Sequence, residues 1–191
     1  MKPTTTKEIG KYRIKIFQDE AIESPREDDN LGTMICFHSR YNLGDKHNHS
    51  REEAQKLLKG KDICVSLHLY LYDHSGITMN TTGFSCGWDS GQVGFIYVTK
   101  QKVREEYNVK RITKNILEKV TNVLQGEVKT YDQYLTGDVY RYEIVEITKC
   151  DKGHEHEEDL DSCGGYYGDE ICLQEAEGIV NHYLKKETEV V

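Results

Sequence analysis

Residues 62–72 constrain the fold most, because apolar and polar side chains alternate along almost the whole segment. Successive side chains of an extended strand point to opposite faces, so this alternation is typical of a β-strand. One face is aliphatic and the other is smaller or polar; the two sets are Val65, Leu67, Leu69 and Leu71, and Cys64, Ser66, His68 and Tyr70. We therefore predict that a sheet forms around this strand.

A second strong pattern lies between Thr113 and Gly137, where apolar residues recur with the 3.6-residue period of an α-helix. Thr113 is a typical N-cap residue, and Gly137 stands where helices commonly end in a left-handed glycine. The pattern predicts a long helix whose apolar stripe contains Ile116, Leu117, Val120, Val123, Leu124, Val128, Tyr131 and Leu135.

Shorter patterns predict the remaining elements. Ser50 and Glu53 form a capping box for a short helix that Gly60 ends. Further strands are predicted at 11–17, 33–38, 92–98 and 138–147, helices at 100–107 and 169–186, and loops at 19–30 and 149–161. Strict βαβ alternation is absent, so we predict an α+β protein. Its mixed or antiparallel sheet packs against the long helix and a C-terminal helix, in a single domain over 1–191 with a mobile acidic loop near 150–161.

Composition limits the classes of function. The formal net charge of −8 argues against nucleic acid as a partner, because phosphate contacts need positive charge. No apolar run reaches the roughly 18 residues of a membrane span, and the first residues lack the apolar core of a secretory signal. None of the six cysteines forms a Cys-x-x-Cys pair, so we expect reduced thiols and a cytoplasmic location, with no membrane partner.

The polar segment 38–49 lies between a predicted strand and a predicted helix, where folds often present binding groups. Arg40 can bind a carboxylate or a phosphate through its planar fork, and the start of the helix adds backbone N–H donors. The neighbouring ligand-binding candidates are Asn42, Asp45 and His47. A solvated turn explains the same residues, and the His-x-His pair is weak evidence for a metal. We therefore predict no metal and no cofactor.

Two further polar clusters follow, at 72–78 and 81–94. The first ends the strongest strand and supplies the candidates Asp73, His74, Ser75 and Thr78. Consecutive Asp, His and Ser residues rarely converge on one point, so ligand contacts and a turn are favoured over a catalytic triad. The second cluster contains four glycines, several hydroxyls and the candidates Trp88, Asp89, Ser90 and Gln92. Its glycines allow close approach to a ligand and its tryptophan can stack on a ring, although a hairpin anchored by a buried tryptophan is the alternative.

Two outlying segments complete the predicted site. Tyr134 and Thr136 lie near the end of the long helix, and the polar residues 161–163 resemble the glycine-rich cluster in character. If the protein is an enzyme, the side chains with suitable chemistry are His74 as acid or base, Asp73, and Cys86 as nucleophile.

As a set, the motifs NLGDKH (42–47), YDHSGIT (72–78), WDSGQVG (88–94) and YDQYLTG (131–137) resemble a family of uncharacterised proteins carried by bacteriophages and related mobile elements. The resemblance spans most of the chain from Asp29 to Gly168. It implies a phage origin and action in the host cytoplasm, and it supplies no activity for individual residues.

These observations lead to three hypotheses. The first is a phage anti-defence protein that binds a small polar, nucleotide-derived signalling ligand and so inhibits host immunity. The second is an inhibitor that binds a host or defence protein through an acidic face. The third is a small hydrolase or transferase. The sequence favours binding over catalysis, and it leaves open whether the chain forms a homo-oligomer.

Overall fold

The computed structural model describes residues 1–189, which form an α+β fold of two antiparallel sheets and four α-helices. This confirms the predicted fold class. The chain divides into two compact units, unit 1 from Met1–Ile22 together with the chain after Thr136, and unit 2 from Glu23–Thr136. A single domain over 1–191 stays a prediction. Within residues 1–189, no helix has the length and apolar character needed to cross a bilayer.

The elements run in the following order along the chain. The strands are β1 (Thr5–Ile9), β2 (Tyr12–Gln18), β3 (Thr33–Cys36), β4 (Ile63–Asp73), β5 (Ile77–Asn80), β6 (Ser90–Thr99), β7 (Val139–Lys149) and β8 (Glu155–Tyr167). The helices are α1 (Arg51–Leu58), α2 (Lys100–Glu106), α3 (Lys114–Thr136) and α4 (Asp169–Glu189), and a short 3₁₀ turn covers Pro25–Glu27. The sequence patterns missed β1 and β5, which are short and weakly alternating.

Unit 1 is a four-stranded sheet in the order β1-β2-β7-β8, with α4 packed on one face. Every second residue of β2 is buried toward that helix, as the period of a half-buried strand requires. The helix meets the sheet with small residues spaced four apart, which bring the two elements close together. These residues are Cys172, Ala176 and Val180.

The predicted acidic loop at 149–161 is wrong for most of its length. Only a short turn separates β7 from β8, with Gly153 at a φ of +79°, and β8 begins at Glu155. The strand pairs with β7 over its length, and its acidic side chains are exposed at the sheet edge. Acidic residues are poor strand formers, so the sequence pattern did not indicate a strand here. Pairing with β7 stabilises β8 nevertheless.

Unit 2 is a four-stranded sheet in the order β3-β6-β4-β5 that carries helices on both faces. On one face α3 buries the stripe of Val120, Leu124, Val128 and Tyr131 against the aliphatic side of β4 and β6. On the other face α1 covers only a small patch around Phe95. Gly94 lets β3 and β6 approach closely, since a Cβ there would lie 2.0 Å from the carbonyl oxygen of Ile35.

A buried arginine ties three segments of unit 2 together. The side chain of Arg26 is 3% exposed and binds the Asp45 carboxylate through Nε at 2.7 Å and Nη2 at 3.0 Å. Its Nη1 binds Glu127 of α3 at 2.9 Å, and Nη2 also donates to the carbonyl of Gly32 at 2.7 Å. Burial opposes the charge, but the hydrogen bonds that Arg26 donates to the two carboxylates outweigh it, so the pKa of Arg26 is raised.

We expect Arg26→Met to lower the free energy of unfolding of unit 2 by about 3–5 kcal/mol, because it leaves two largely buried carboxylates uncompensated. Urea unfolding followed by circular dichroism measures the loss. The control is Arg111→Met, which removes an exposed arginine and should change stability by less than about 0.5 kcal/mol. Equal urea midpoints for the two variants would contradict the assignment.

An ion-pair cluster crosses the sheet of unit 1. Arg13 binds Glu155 at 3.0 Å and Glu157 at 2.6 Å, and Lys15 also binds Glu157. These hydrogen bonds, from Lys15 and Arg13 to Glu157 and from Arg13 to Glu155, lower the pKa of both carboxyl groups below the ordinary value of 4.5. A lowered folded-state pKa means that the stabilisation is present above pH 4.5 and is lost as the pH falls through the folded value.

We therefore expect the melting temperature to fall as the pH drops below about 4.5, because protonation removes these pairs. Thermal unfolding of Glu157→Gln between about pH 6 and pH 3 should show a shallower acid loss than the wild type. Glu158→Gln is the matched control, since Glu158 makes no ion pair among residues 1–189. A wild-type slope in Glu157→Gln would count against the cluster as the source.

Candidate functional site

Phe37 and Arg51 line three of the cavities on unit 2. The His68 cavity, of about 380 Å³, lies between α1 and the sheet and includes His68 and Gln92. The Trp88 cavity, of about 400 Å³, includes Arg40, Asp73 and Trp88. The Tyr134 cavity, of about 850 Å³, includes Tyr41, Asn42, His47 and Tyr134.

The chain after β3 is fixed by backbone contacts. Gly44 pairs with Ile35, and its N–H donates to the hydroxyl of Tyr131 at 2.9 Å. Only glycine suits this position, because its φ is +71° and a Cβ would lie 2.7 Å from the carbonyl oxygen of Met34. The segment between Cys36 and Gly44 is therefore a loop anchored at both ends, with Arg40 near its centre.

Arg40 and Asp73 lie together, as a site built from the polar segments 38–49 and 72–78 requires. The Arg40 guanidinium donates through Nη2 to the Asp73 carboxylate, and His38 Nε2 lies 3.7 Å from the same carboxylate. Arg40 is 64% exposed on its side chain, whereas Asp73 is 16% exposed. The pair thus has its carboxylate set into the wall of the Trp88 cavity and its guanidinium facing solvent.

Trp88 is 97% exposed, so it is not the core anchor that a buried hairpin would need. It lies on the loop between β5 and β6, whose start is held by Asn80 Oδ1 accepting from the N–H groups of Thr82 and Gly83 at 3.1 and 2.7 Å. The end of that loop is held by Ser90, whose hydroxyl donates to the carbonyl of Cys86. A large ring is therefore presented to solvent by a loop with fixed ends.

The turn after β4 brings His74 beside Asp89. His74 Nδ1 lies 3.2 Å from the Asp89 carboxylate, and the Asp73 N–H donates to the Asp89 carbonyl at 2.8 Å. Ser75 adopts a φ of +56°, which few residues other than glycine adopt, and the turn closes at Gly76. Asp89 and Ser90 line the Trp88 cavity, whereas His74 and Ser75 lie on the neighbouring turn.

Gln92 joins the Trp88 and His68 cavities. It lines both, and its side-chain amide lies 2.7 Å from Nδ1 of His68. The amide therefore has a fixed position in the wall between the two cavities.

Several predicted ligand-binding residues also make hydrogen bonds within the fold. The Asp45 carboxylate binds Arg26 and the N–H of Met34, and the Thr78 hydroxyl donates to Asp132 at 2.7 Å. Thr136 bonds back to the Asp132 carbonyl, and His47 Nε2 lies 2.9 Å from the Cys36 carbonyl. The sequence could not separate these roles for Asp45 and Thr78, because their partners are 19 and 54 residues away along the chain.

The backbone N–H groups at the start of α1 were expected to be available to a ligand, but those of Ser50 and Glu53 have partners within the capping box. The Ser50 side chain accepts from the Glu53 N–H, and Glu53 accepts from the Ser50 N–H at 2.8 Å, so the capping box is complete. The predicted cap is confirmed, and its donors serve the helix.

The Trp88 and Tyr134 cavities are together called the groove, and some residues that line it were not among the named candidates. His38 and Tyr41 stack with ring centroids 5.1 Å apart, and both line the Tyr134 cavity. Arg51 donates to the carbonyl of Phe37 at 3.0 Å and lies over that ring. The capping box located the start of α1, and it could have placed Arg51 at the first helical position beside the loop.

The thiols do not form a nucleophilic site. Burial raises the pKa of the Cys36 thiol to about 12, which leaves it protonated and unreactive. Among residues 1–189, no hydrogen bond or ion pair joins Cys86 to His74, the pair considered for covalent catalysis. Residues 161–163 lie in β8 of unit 1, where Asp161 accepts from the Tyr142 hydroxyl at 3.1 Å.

The net charge is unevenly divided between the units. Unit 2 contains 15 Lys and Arg and 15 Asp and Glu, whereas unit 1 contains 10 and 18. The acidity of the whole chain therefore does not describe the unit that carries the groove. An argument from net charge against anionic ligands does not apply to this surface.

Fold and site together define an α+β protein with a polar, aromatic-lined groove on one of its two compact units. Comparison with protein-family models, with curated proteins and with solved structures finds no match to this chain. Functional inference therefore rests on the groove itself.

We expect Thr78→Val to lower stability by about 1–2 kcal/mol and to leave ligand binding unchanged, because the hydroxyl serves Asp132 rather than a cavity. Urea unfolding measures the first effect, and titration with any groove ligand measures the second. Thr82→Val, in the loop after β5, is the control for the isosteric change. A loss of affinity without a loss of stability would place Thr78 in the binding surface instead.

Proposed function

We propose that unit 2 binds a small anionic ligand that carries an aromatic ring, of the nucleotide-derived class. The observation that carries the proposal is the 97% exposure of Trp88 beside Arg40 in the lining of one cavity. An exposed indole leaves apolar surface in contact with water, and covering that surface with a second ring is favourable. Base–aromatic stacking supplies about 1–3 kcal/mol per base.

The cations of the groove suit a phosphate. A guanidinium has five N–H donors, and Arg40 uses one nitrogen, Nη2, on Asp73. Its remaining donors face an exposed surface, where they can donate to a second anion in a bidentate manner. Arg51 adds a second guanidinium to the same cavity, with one nitrogen committed to the carbonyl of Phe37.

The ligand-binding reading also suits the protein better than catalysis. Asp73 is paired with Arg40, and among residues 1–189 no hydrogen bond joins the Cys86 thiol to a base, so the contacts favour recognition over an activated nucleophile. In the setting that the phage resemblance suggests, the protein acts in the host cytoplasm, sequesters a nucleotide-derived signal and so inhibits host immunity. This anti-defence role is part of the proposal.

Trp88 is the only tryptophan in the chain, so its fluorescence reports directly on the proposed cavity. We expect 5′-AMP, ADP-ribose or a cyclic nucleotide to change this fluorescence saturably and to raise the melting temperature. Arg40→Ala should weaken binding by about tenfold or more, because a hydrogen bond to a charged group is lost.

The control for charge is Arg111→Ala, which removes an exposed arginine that lines none of the three cavities. It should retain wild-type affinity. The proposal is overturned if no compound in the panel changes fluorescence or melting temperature at concentrations up to about 1 mM, a dissociation free energy near 4 kcal/mol. Equal losses in the two arginine variants would show a general charge effect rather than a site.

A further inference from the structure

The Trp88 and Tyr134 cavities adjoin each other, because they share lining residues, and together they are the groove. Phe37, His38, Ser39 and Arg51 line both cavities. Each volume, about 400 and about 850 Å³, falls within the range of sites for small molecules. A ligand that fills only the Trp88 cavity leaves the larger part of the groove empty.

Both ends of the groove present aromatic rings. Trp88 stands at one end, and the other end contains the Tyr41 ring, which is 37% exposed and stacked on His38 at an interplanar angle of 17°. The Tyr134 ring lines the same end and lies parallel to Tyr131, with centroids 5.9 Å apart. Each end therefore offers a preformed flat surface of the kind on which a base stacks.

A cation lies at the junction of the two ends. Arg40 lines the Trp88 cavity, and its Cζ lies 5.6 Å from the centre of the Tyr41 ring, which lines the Tyr134 cavity. Arg51 lines both cavities. Positive groups between two aromatic surfaces match a molecule whose charge lies between two ring systems.

We infer that the ligand is of the dinucleotide class, with two bases joined through phosphate. One base stacks on Trp88, the other stacks on Tyr41, and the linking phosphate binds Arg40 and Arg51. The inference rests on the proposed function and adds to it the number of ring systems and the position of the charge.

Isothermal titration with three compounds tests the inference. These are 5′-AMP, adenosine 3′,5′-bisphosphate and the linear dinucleotide pApA, so the bisphosphate adds charge without a second base. We expect pApA to bind at least about tenfold more tightly than either single-base compound, as one additional stacked base provides. Tyr41→Leu should remove this advantage and leave the affinity for 5′-AMP within about twofold.

Each outcome has one meaning. If 5′-AMP binds but pApA binds no more tightly than the bisphosphate, the dinucleotide inference is overturned and the proposed function stands. If Tyr41→Leu weakens 5′-AMP and pApA equally, the second stacking surface is not at Tyr41 and the inference also fails. If none of the three compounds binds but ADP-ribose or a cyclic nucleotide does, the dinucleotide inference is overturned and the proposed function stands. If nothing in either set binds while the protein is folded by circular dichroism, the proposed function itself fails.

Discussion

The buried guanidinium of Arg26 is the interaction on which the groove depends. It joins the 3₁₀ turn before β3, the loop after β3 and helix α3, three parts of unit 2 that are distant in sequence. Glu127 extends the network, because it also accepts the N–H groups of Leu31 and Gly32 at 2.8 and 3.1 Å. Through Asp45 the network fixes the C-terminal end of the loop that carries Arg40. A charge that costs free energy to bury thus specifies where the binding loop lies.

Periodicity predicted the parts of the fold that bury a continuous face. The strand at 62–72 and the helix after Thr113 were found because each packs a regular apolar stripe into the same core. Periodicity failed for β8, where acidic side chains occupy an exposed edge strand that pairs with β7. Edge strands commonly carry charge to prevent association, so their sequences resemble loops.

The candidate site was predictable at the level of clusters but not of individual side chains. Glycines and polar residues at strand ends marked the loops correctly, and Arg40, Asp73 and Trp88 do line one cavity. Asp45 and Thr78 were chosen by the same signal, yet both bind distant structural partners. Whether a polar side chain lines a cavity or binds a structural partner depends on contacts between residues about 20 to 50 positions apart. Local sequence chemistry does not encode such contacts.

Arg26 and Arg40 show how burial decides the use of one interaction. Each guanidinium pairs with an aspartate, and each pair joins a loop to a neighbouring element. Arg26, at 3% exposure, donates through all three nitrogens to protein acceptors, and burial keeps it away from a ligand. Arg40, at 64% exposure, donates to Asp73 through one nitrogen, and its other nitrogens face water. Removing water from these nitrogens costs less free energy than breaking a buried network of hydrogen bonds. The same type of Arg–Asp pair therefore stabilises the fold at Arg26 and leaves an anion-binding surface at Arg40.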